Sequence, residues 1–241
     1  MIILTLILLA LLLGLALGIF EIDLPKAVRN IQTFLSELSL DKEALAVGLY
    51  ALYETVLISL FSTAAAILIA MPMAAVASGH VGSPPLAVAV RVAATFMRSI
   101  PAVLWAVLGV VALGPGKEAG AIALFIYSVG YLVKLFYETF ENVDKNFVDA
   151  MKAIGARGLK LAHLIYLQER RQFITNMIFI LEYNIRTATI IGLVGAGGIG
   201  YYIAQYISLL KYDALATIII LTFLFVLVLE LISYLWRRYY K

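Results

Sequence analysis

Apolar residues run along this chain in long blocks separated by short polar stretches, and the blocks have the length of membrane crossings. A helix that crosses a bilayer needs about 20 mostly apolar residues. Six blocks qualify, at 2–20, 46–77, 86–113, 119–140, 173–194 and 214–236. The second and third exceed what a perpendicular helix needs, so tilt, a break or extension past the bilayer is expected. Pro72 and Pro101 are the expected kink points, because each removes a backbone donor. The pattern predicts an all-α integral membrane protein with about six transmembrane helices.

Two polar stretches between the blocks carry periodicity of their own. In 141–171, Asp144 can cap a helix, and Phe147, Val148, Met151 and Ile154 follow at spacings that make one apolar face. Gly155 is placed to stop that helix, and Leu159, Leu161, Leu164, Ile165 and Leu167 continue as a second amphipathic segment. Ala150, Ala153 and Ala156 keep the turn slim enough for another protein to approach. A docking element and an ordinary interfacial loop both fit. In 21–45, Asp23, Pro25, Glu37, Asp41 and Glu43 occur with Ile31, Phe34, Leu35 and Leu38, a pattern expected of a short amphipathic helix lying on the outer membrane surface.

Composition agrees with the membrane reading: 63% of the 241 residues are hydrophobic, 14% are charged, and the mean hydropathy is +1.00. A soluble domain carries roughly a quarter charged residues. The net charge of +3 gathers at the edges of the apolar blocks rather than in the aromatic-interleaved stripe that would point to nucleic acid. With both termini inside, eleven Lys and Arg residues fall on the cytoplasmic side, six of them in the 141–171 stretch, against five outside. The 141–171 stretch and the C-terminus are therefore expected in the cytoplasm and 21–45 outside. The first block has two readings, a retained anchor or a cleaved signal peptide with Ala16-Leu17-Gly18 as a weak cleavage site. The chain has no cysteine, and His80 and His163 have no partner at metal-ligand spacing, so no metal site and no cofactor is expected.

Asp149-Ala150-Met151-Lys152-Ala153-Ile154-Gly155-Ala156 resembles the EAA motif of permease subunits of ABC importers, in which glycine follows the acidic residue by six positions. Asp149 stands where that family usually has Glu, and Met151 replaces the second alanine. Gln168 and Gln172 replace prolines that the family often carries, so the exit from the second helix is expected to be more continuous. The closest likeness is to the phosphonate and phosphite import branch. It is carried by Glu54-Thr55, Arg98-Ser99-Ile100-Pro101, Lys134 with Glu138, Glu182-x-Asn184-x-Arg186 and Val194-Gly-Ala-Gly-Gly-Ile-Gly200, over about residues 45 to 236. The resemblance implies the type I ABC importer permease (MetI-like) fold. It implies a coupling loop at 141–171, in which Asp149, Ala150, Ala153, Gly155 and Ala156 meet an ATPase subunit. It also implies two ATPase copies, a second copy of this chain, an extracytoplasmic substrate-binding protein and a small anionic substrate in a cell (plasma or inner) membrane. On this basis 1–45 is expected to hold an anchor helix plus the amphipathic segment, and 46–241 the transmembrane domain.

Several polar residues sit inside the apolar blocks. Glu182 and Arg186 are four apart on one helix face, where pairing would lower their burial cost. Asn184 is turned roughly 200° from each. Asn184 is assigned to interhelical hydrogen bonding and Arg186 to the pathway, with a purely structural Glu182–Arg186 pair as the alternative. Lys134 and Glu138 repeat the four-residue spacing near the inner end of the fourth block. Arg98 before Pro101 is expected to anchor at the interface and to shape the inner half of the third block. Gly195-x-Gly197-x-x-Gly200 matches a dinucleotide fingerprint in spacing alone, since a membrane block precedes it rather than a strand. Gly195, Gly197, Gly198 and Gly200 are read instead as close-packing positions, as an outer gate with exposed backbone donors, or as both. Glu230 has no evident partner.

The function expected is a permease subunit that forms the path for a small phosphorus oxyanion, with ATP hydrolysis carried by a partner and no chemistry of its own. A methionine or phosphate importer on the same scaffold is the nearest rival. A secondary transporter would need inverted repeats, which the chain does not show, and an intramembrane enzyme would need a buried acid–base or metal set.

Overall fold

The computed structural model describes residues 5, 8, 9, 12–14, 18, 23–36 and 39–239. The expected anchor or leader at 2–20 falls largely outside them, as do Glu37, Leu38 and Lys241. Among the described residues every regular element is an α-helix, and the chain divides into two units, Met1–Ser39 and Leu40–Lys241. The first unit contains α1 (Leu24–Ser36), whose Asp23 carboxylate accepts from the Lys26 amide at 3.0 Å as an N-terminal cap. Leu24, Val28, Ile31 and Leu35 recur at helical spacing along α1 and are all exposed, as the amphipathic pattern requires.

The second unit is a bundle of nine described helices: α2 (Lys42–Ala77), α3 (Pro84–Ser99), α4 (Ala102–Leu113), α5 (Lys117–Glu141), α6 (Lys145–Ala153), α7 (Gly158–Gln168), α8 (Arg170–Gly192), α9 (Gly198–Ser208) and α10 (Tyr212–Tyr239). Three of these, α2, α5 and α10, are long and apolar enough to cross a membrane, and the bent pair α3–α4 makes up to four. Two of the expected blocks take a different form within the described residues. Residues 86–113 do not form one helix: α3 and α4 meet at 83°. Pro101 has no amide hydrogen and forces the residue before it out of helical geometry, and Ile100 accordingly sits at φ −86, ψ 122. The Trp105 indole closes the corner by donating to the Met97 carbonyl at 3.0 Å. Residues 173–194 do form a helix, α8, but Asn176, Glu182, Asn184 and Arg186 dilute its apolar character, and it is not among the three. The other expected kink is absent as a break, since α2 runs through Pro72 as one helix of 36 residues, about 54 Å long. The short helix α9, formed by the glycine segment, was not apparent in the apolar pattern.

At the centre stands α5, whose most apolar stretch is 61% buried against 33% for α2 and 22% for α10. Neighbouring backbones reach it because the contact positions are small. Along α2 the buried face reads Ala44, Gly48, Ala51, Thr55, Ser59, Ser62, Ala66, Ala70, Ala74 and Ala77. On α5 itself, a Cβ at Gly130 would lie 2.7 Å from the Ala94 carbonyl oxygen of α3 and 2.9 Å from the Met97 Cβ. By contrast, α10 turns Phe223, Leu224, Leu227, Val228, Leu231 and Ile232 outward, an apolar surface that water would not tolerate but lipid or a second subunit would.

Gly130→Val should lower the thermal stability of the detergent-solubilised chain by about 1–3 kcal/mol, the cost of overpacking a close contact. Thermal melting followed by size-exclusion recovery checks this, and an unchanged melting curve would contradict the close α3–α5 crossing.

Candidate translocation and coupling sites

The polar stretch folds much as its spacing dictates. The Asp144 carboxylate accepts from the Asn146 amide at 2.9 Å and starts α6. The helix stops where Gly155 adopts φ +85, a conformation costly for any residue with a Cβ, and the Ala156 amide returns to the Met151 carbonyl at 3.0 Å. Asp149, Ala150, Ala153 and Gly155 are exposed at this turn. Ala156 is not: it is fully buried in the core beneath, so it supports the turn instead of facing outward. The apolar face also differs from expectation at its end, since Val148 is buried but Ile154 is 71% exposed. Leu159, on the far side of the turn, is 72% exposed. Two large apolar side chains thus flank a slim, polar-rimmed turn.

Behind the turn, α7 is fastened to the bundle. Leu161 and Ile165 are buried, and the Tyr166 ring lies 5.3 Å from Phe173, which makes edge contacts with Phe136 at 5.2 Å and Phe140 at 4.9 Å. Only Glu169 separates α7 from α8, in keeping with the glutamines at 168 and 172. At the same end of the molecule Arg91 pairs with Glu141, donates from Nε to the Ala77 carbonyl at 2.7 Å and stacks 4.9 Å from the centre of the Tyr137 ring. Lys134 and Glu138 form an exposed i,i+4 pair at 3.6 Å, which contributes little at such exposure.

In α8 the three predicted polar residues separate, as helix geometry requires. Asn184 is fully buried and donates from Nδ2 to Thr63 Oγ1 of α2 at 2.8 Å and to Ser128 Oγ of α5 at 2.7 Å. It is an interhelical tie without an exposed face. Arg186 pairs with Glu182 on its own helix and lies 3.8 Å from Glu230 of α10, which supplies the partner that the sequence left unnamed. The Arg186 side chain is 44% exposed and that of Glu182 is 10% exposed. A second tie, at Asn176, passed unnoticed in the sequence: its Nδ2 donates to Thr139 Oγ1 at 3.2 Å. For Asn184 the signal was in the hydroxyls of α2, where Thr55, Ser59 and Thr63 repeat every four residues along one buried face.

The glycine segment is packed against its neighbours on several sides. A Cβ at Gly192 would lie 2.7 Å from Gly200 Cα, and one at Gly197 would lie 2.9 Å from Lys117 Cα. A Cβ at Gly198 would lie 2.6 Å from Thr55 Oγ1, and that hydroxyl oxygen accepts from the Ile199 amide at 2.9 Å, capping α9 from α2. The Gly116 amide donates to the Gly195 carbonyl at 2.8 Å. Beside these contacts is a cavity of about 270 Å³ whose lining includes Glu54, Lys117, Gly195, Gly197, Gly198 and Tyr202. Close packing and a lined recess therefore coexist.

Arg98 lies at the end of α3, about 21 Å along the helix from Pro84. Its Nε is buried with no hydrogen-bond partner, and among the described residues no carboxylate pairs with it.

Asn184→Leu should destabilise the chain by about 1–2 kcal/mol, because it leaves the hydroxyls of Thr63 and Ser128 without their donor. Thermal melting of the purified chain reads this. A melting point equal to that of the unsubstituted chain would remove Asn184 from the role of tie.

With this geometry in hand, the likeness to known proteins is specific. Residues 66–241 match the family described as binding-protein-dependent transport system inner membrane component. The chain is 33% identical over 192 residues to the phosphite transport system permease protein of Stutzerimonas stutzeri, covering 79% of this chain and 70% of that one. It is 34% identical over 194 residues to the phosphate-import permease protein of Mycolicibacterium smegmatis, covering 79% of this chain but only 36% of that longer protein. Among solved structures, a chain of the MetNI methionine ABC transporter in an inward-facing form has a TM-score of 0.72 and 16% identity, covering 84% of this chain and 100% of that one; at that identity the likeness is one of fold. The chain belongs to the inner-membrane components of binding-protein-dependent transport systems, the permease subunits of ABC importers.

Proposed function

We propose that this chain forms the translocation path for a small phosphorus oxyanion of the phosphonate or phosphite type, as one of two copies driven by two ATPase subunits. Membership of the family implies an ATPase subunit and a substrate-binding protein as partners. The observation that carries the mechanistic reading is the α6–α7 turn, where Ala150, Ala153 and Gly155 are exposed together with Ile154 and Leu159. Small residues let a partner approach the backbone, and the two apolar side chains give it surface to bury. Lys152, Arg157 and Lys160 surround the turn, and their charge favours the cytoplasmic side for this loop and for the C-terminal Arg238. On this reading ATP binding and hydrolysis move α6, and α7 transmits the movement to α5 and α8 through the Tyr166–Phe173 contact. The substrate class is supported by the names of the phosphite and phosphate permeases that the chain resembles. The second of those names keeps phosphate as the rival substrate. The binding protein delivers substrate outside, where the glycine segment and its recess form the gate. The exposed stripe of α1 suits the outer membrane surface, and 46–241 acts as the transmembrane domain.

Purification of the chain in mild detergent from its own membrane should bring down a stoichiometric ATPase subunit. The binding protein that accompanies the complex should then bind phosphite or a phosphonate more tightly than phosphate or methionine in a calorimetric titration; preference for methionine would overturn the substrate class. Gly155→Pro should leave the chain in the membrane and reduce binding-protein-dependent uptake to background while ATP hydrolysis persists. Proline cannot adopt φ +85 and removes the amide that donates to the Lys152 carbonyl at 3.0 Å. Coupled uptake at the normal rate in that variant would remove the turn from the coupling role.

A further inference from the structure

A path for an anion needs a place where the anion is held, and Arg186 is poorly suited because Glu182 and Glu230 already flank it. The corner between α3 and α4 is different. It opens on a cavity of about 290 Å³ lined by Arg98, Ser99, Pro101, Tyr127, Tyr183 and Thr187, with no carboxylate in its lining. The recess at the glycine segment, by contrast, sets Glu54 beside Lys117. At roughly 30 Å³ per water, the corner cavity holds about ten waters, room enough for a small tetrahedral oxyanion that keeps part of its hydration.

Three independent features of this corner favour negative charge. Arg98 brings a full positive charge, unpaired among the described residues, with a buried Nε that has no acceptor. The N-terminus of α4, a helix of 12 residues, opens into the same cavity, since Ala102 and Val103 line it. Both the Leu104 and Trp105 amides return to the Pro101 carbonyl, at 2.9 and 3.4 Å, whereas the first amides of a helix have no acceptor within it. The tyrosine hydroxyls of Tyr127 and Tyr183 meet at 2.9 Å on the opposite wall, where one hydrogen at most is committed between them.

Height completes the argument. Tyr127 is ten residues from the Lys117 start of α5 and fourteen from its Glu141 end, and Tyr183 is thirteen and nine residues from the ends of α8. The cavity therefore sits near mid-height of the two inner helices. A helix broken at that height, with the N-terminus of its second half turned to a cavity, is an arrangement in which transporters hold anionic groups.

We propose that this corner is the anion station of the pathway, with the Arg98 guanidinium contacting two oxygens of the passing oxyanion and the α4 amides a third. The inference rests on the importer reading above and names the site within it. Arg98 is thus a binding residue, not a residue that only shapes the bend.

The test uses the whole complex, with ATPase and binding protein, in liposomes, comparing the unsubstituted chain with Arg98→Gln and Arg98→Lys. Arg98→Gln should lower radiolabelled phosphite uptake per ATP hydrolysed by about ten- to a hundredfold, the worth of one charge-assisted contact, with hydrolysis still stimulated by the loaded binding protein. Arg98→Lys should recover part of the uptake. Normal uptake in Arg98→Gln, or joint loss of uptake and hydrolysis in both variants, would overturn the proposal. If the unsubstituted complex imports no phosphorus oxyanion, the importer reading fails on its own account. The station is then decided by melting of the solubilised complex titrated with phosphite, phosphate and sulfate. Stabilisation that disappears in Arg98→Gln supports it, and stabilisation that is absent or unaffected by the substitution overturns it.

Discussion

The close approach of backbones around α5 is the constraint on which the rest of the structure depends. In lipid there is little hydrophobic drive to bring helices together, so contact area and interhelical hydrogen bonds have to do it. The alanines, serines and threonines of α2 lie along α5 without side-chain bulk between the two, and Gly130 admits the backbone of α3. At that separation short polar side chains can bridge the gap. Asn184 reaches hydroxyls on both α2 and α5, and Asn176 reaches Thr139. Longer side chains on the same faces would have moved the helices apart and left those groups unpaired in an apolar interior, where the penalty is larger than the bond's own worth. Packing and polar ties are thus one arrangement, each requiring the other.

How much of this was legible in the sequence follows from which interactions are local. The ends of α5 and α10, the Asp144 cap and the Gly155 stop depend on residues within a turn or two, and the spacing alone located them. The corner at Pro101 was legible as a weak point but not as an 83° turn, because the angle is set by what α4 packs against after the break. Pro72 carries the same local signal and gives no break, which shows the neighbours deciding. The glycine segment could be read as packing or as a gate; only the contacts with Lys117, Thr55 and Gly192 show how closely it is packed. Ala156 and Ile154 exchanged their expected roles for a similar reason, since burial in a turn depends on the bundle beneath it.

The charges inside the bundle illustrate the same limit. Glu182 and Arg186 announce a pair by their spacing, and the structure places them in contact. Nothing in the spacing connects Arg186 to Glu230, forty-four positions later on α10. Nor does any local rule show that Arg98 has no carboxylate partner among the described residues, because absence of a counter-charge is a property of the whole surrounding surface. The two arginines look alike in the sequence. One is flanked by two carboxylates, and the other is held at the mouth of a helix in a cavity that contains none.

That difference bears on how a distant motor could act on the substrate. On the proposed coupling route, movement of α6 would reach the bundle through α7, whose Tyr166 touches Phe173 at the start of α8, and Phe173 in turn meets Phe136 and Phe140 of α5. The same two helices carry Tyr127 and Tyr183, which stack at 5.7 Å between ring centres and form one wall of the Arg98 cavity. A small relative shift of α5 and α8 at the aromatic cluster would therefore be felt at the tyrosine wall, while Arg98 and the α4 N-terminus belong to other elements. In the proposed station, an anion held between the two walls would be released when they separate, with no titration or rearrangement of the arginine. Interlocked rings suit that transmission, because a close-packed contact shifts as a unit and does not deform gradually.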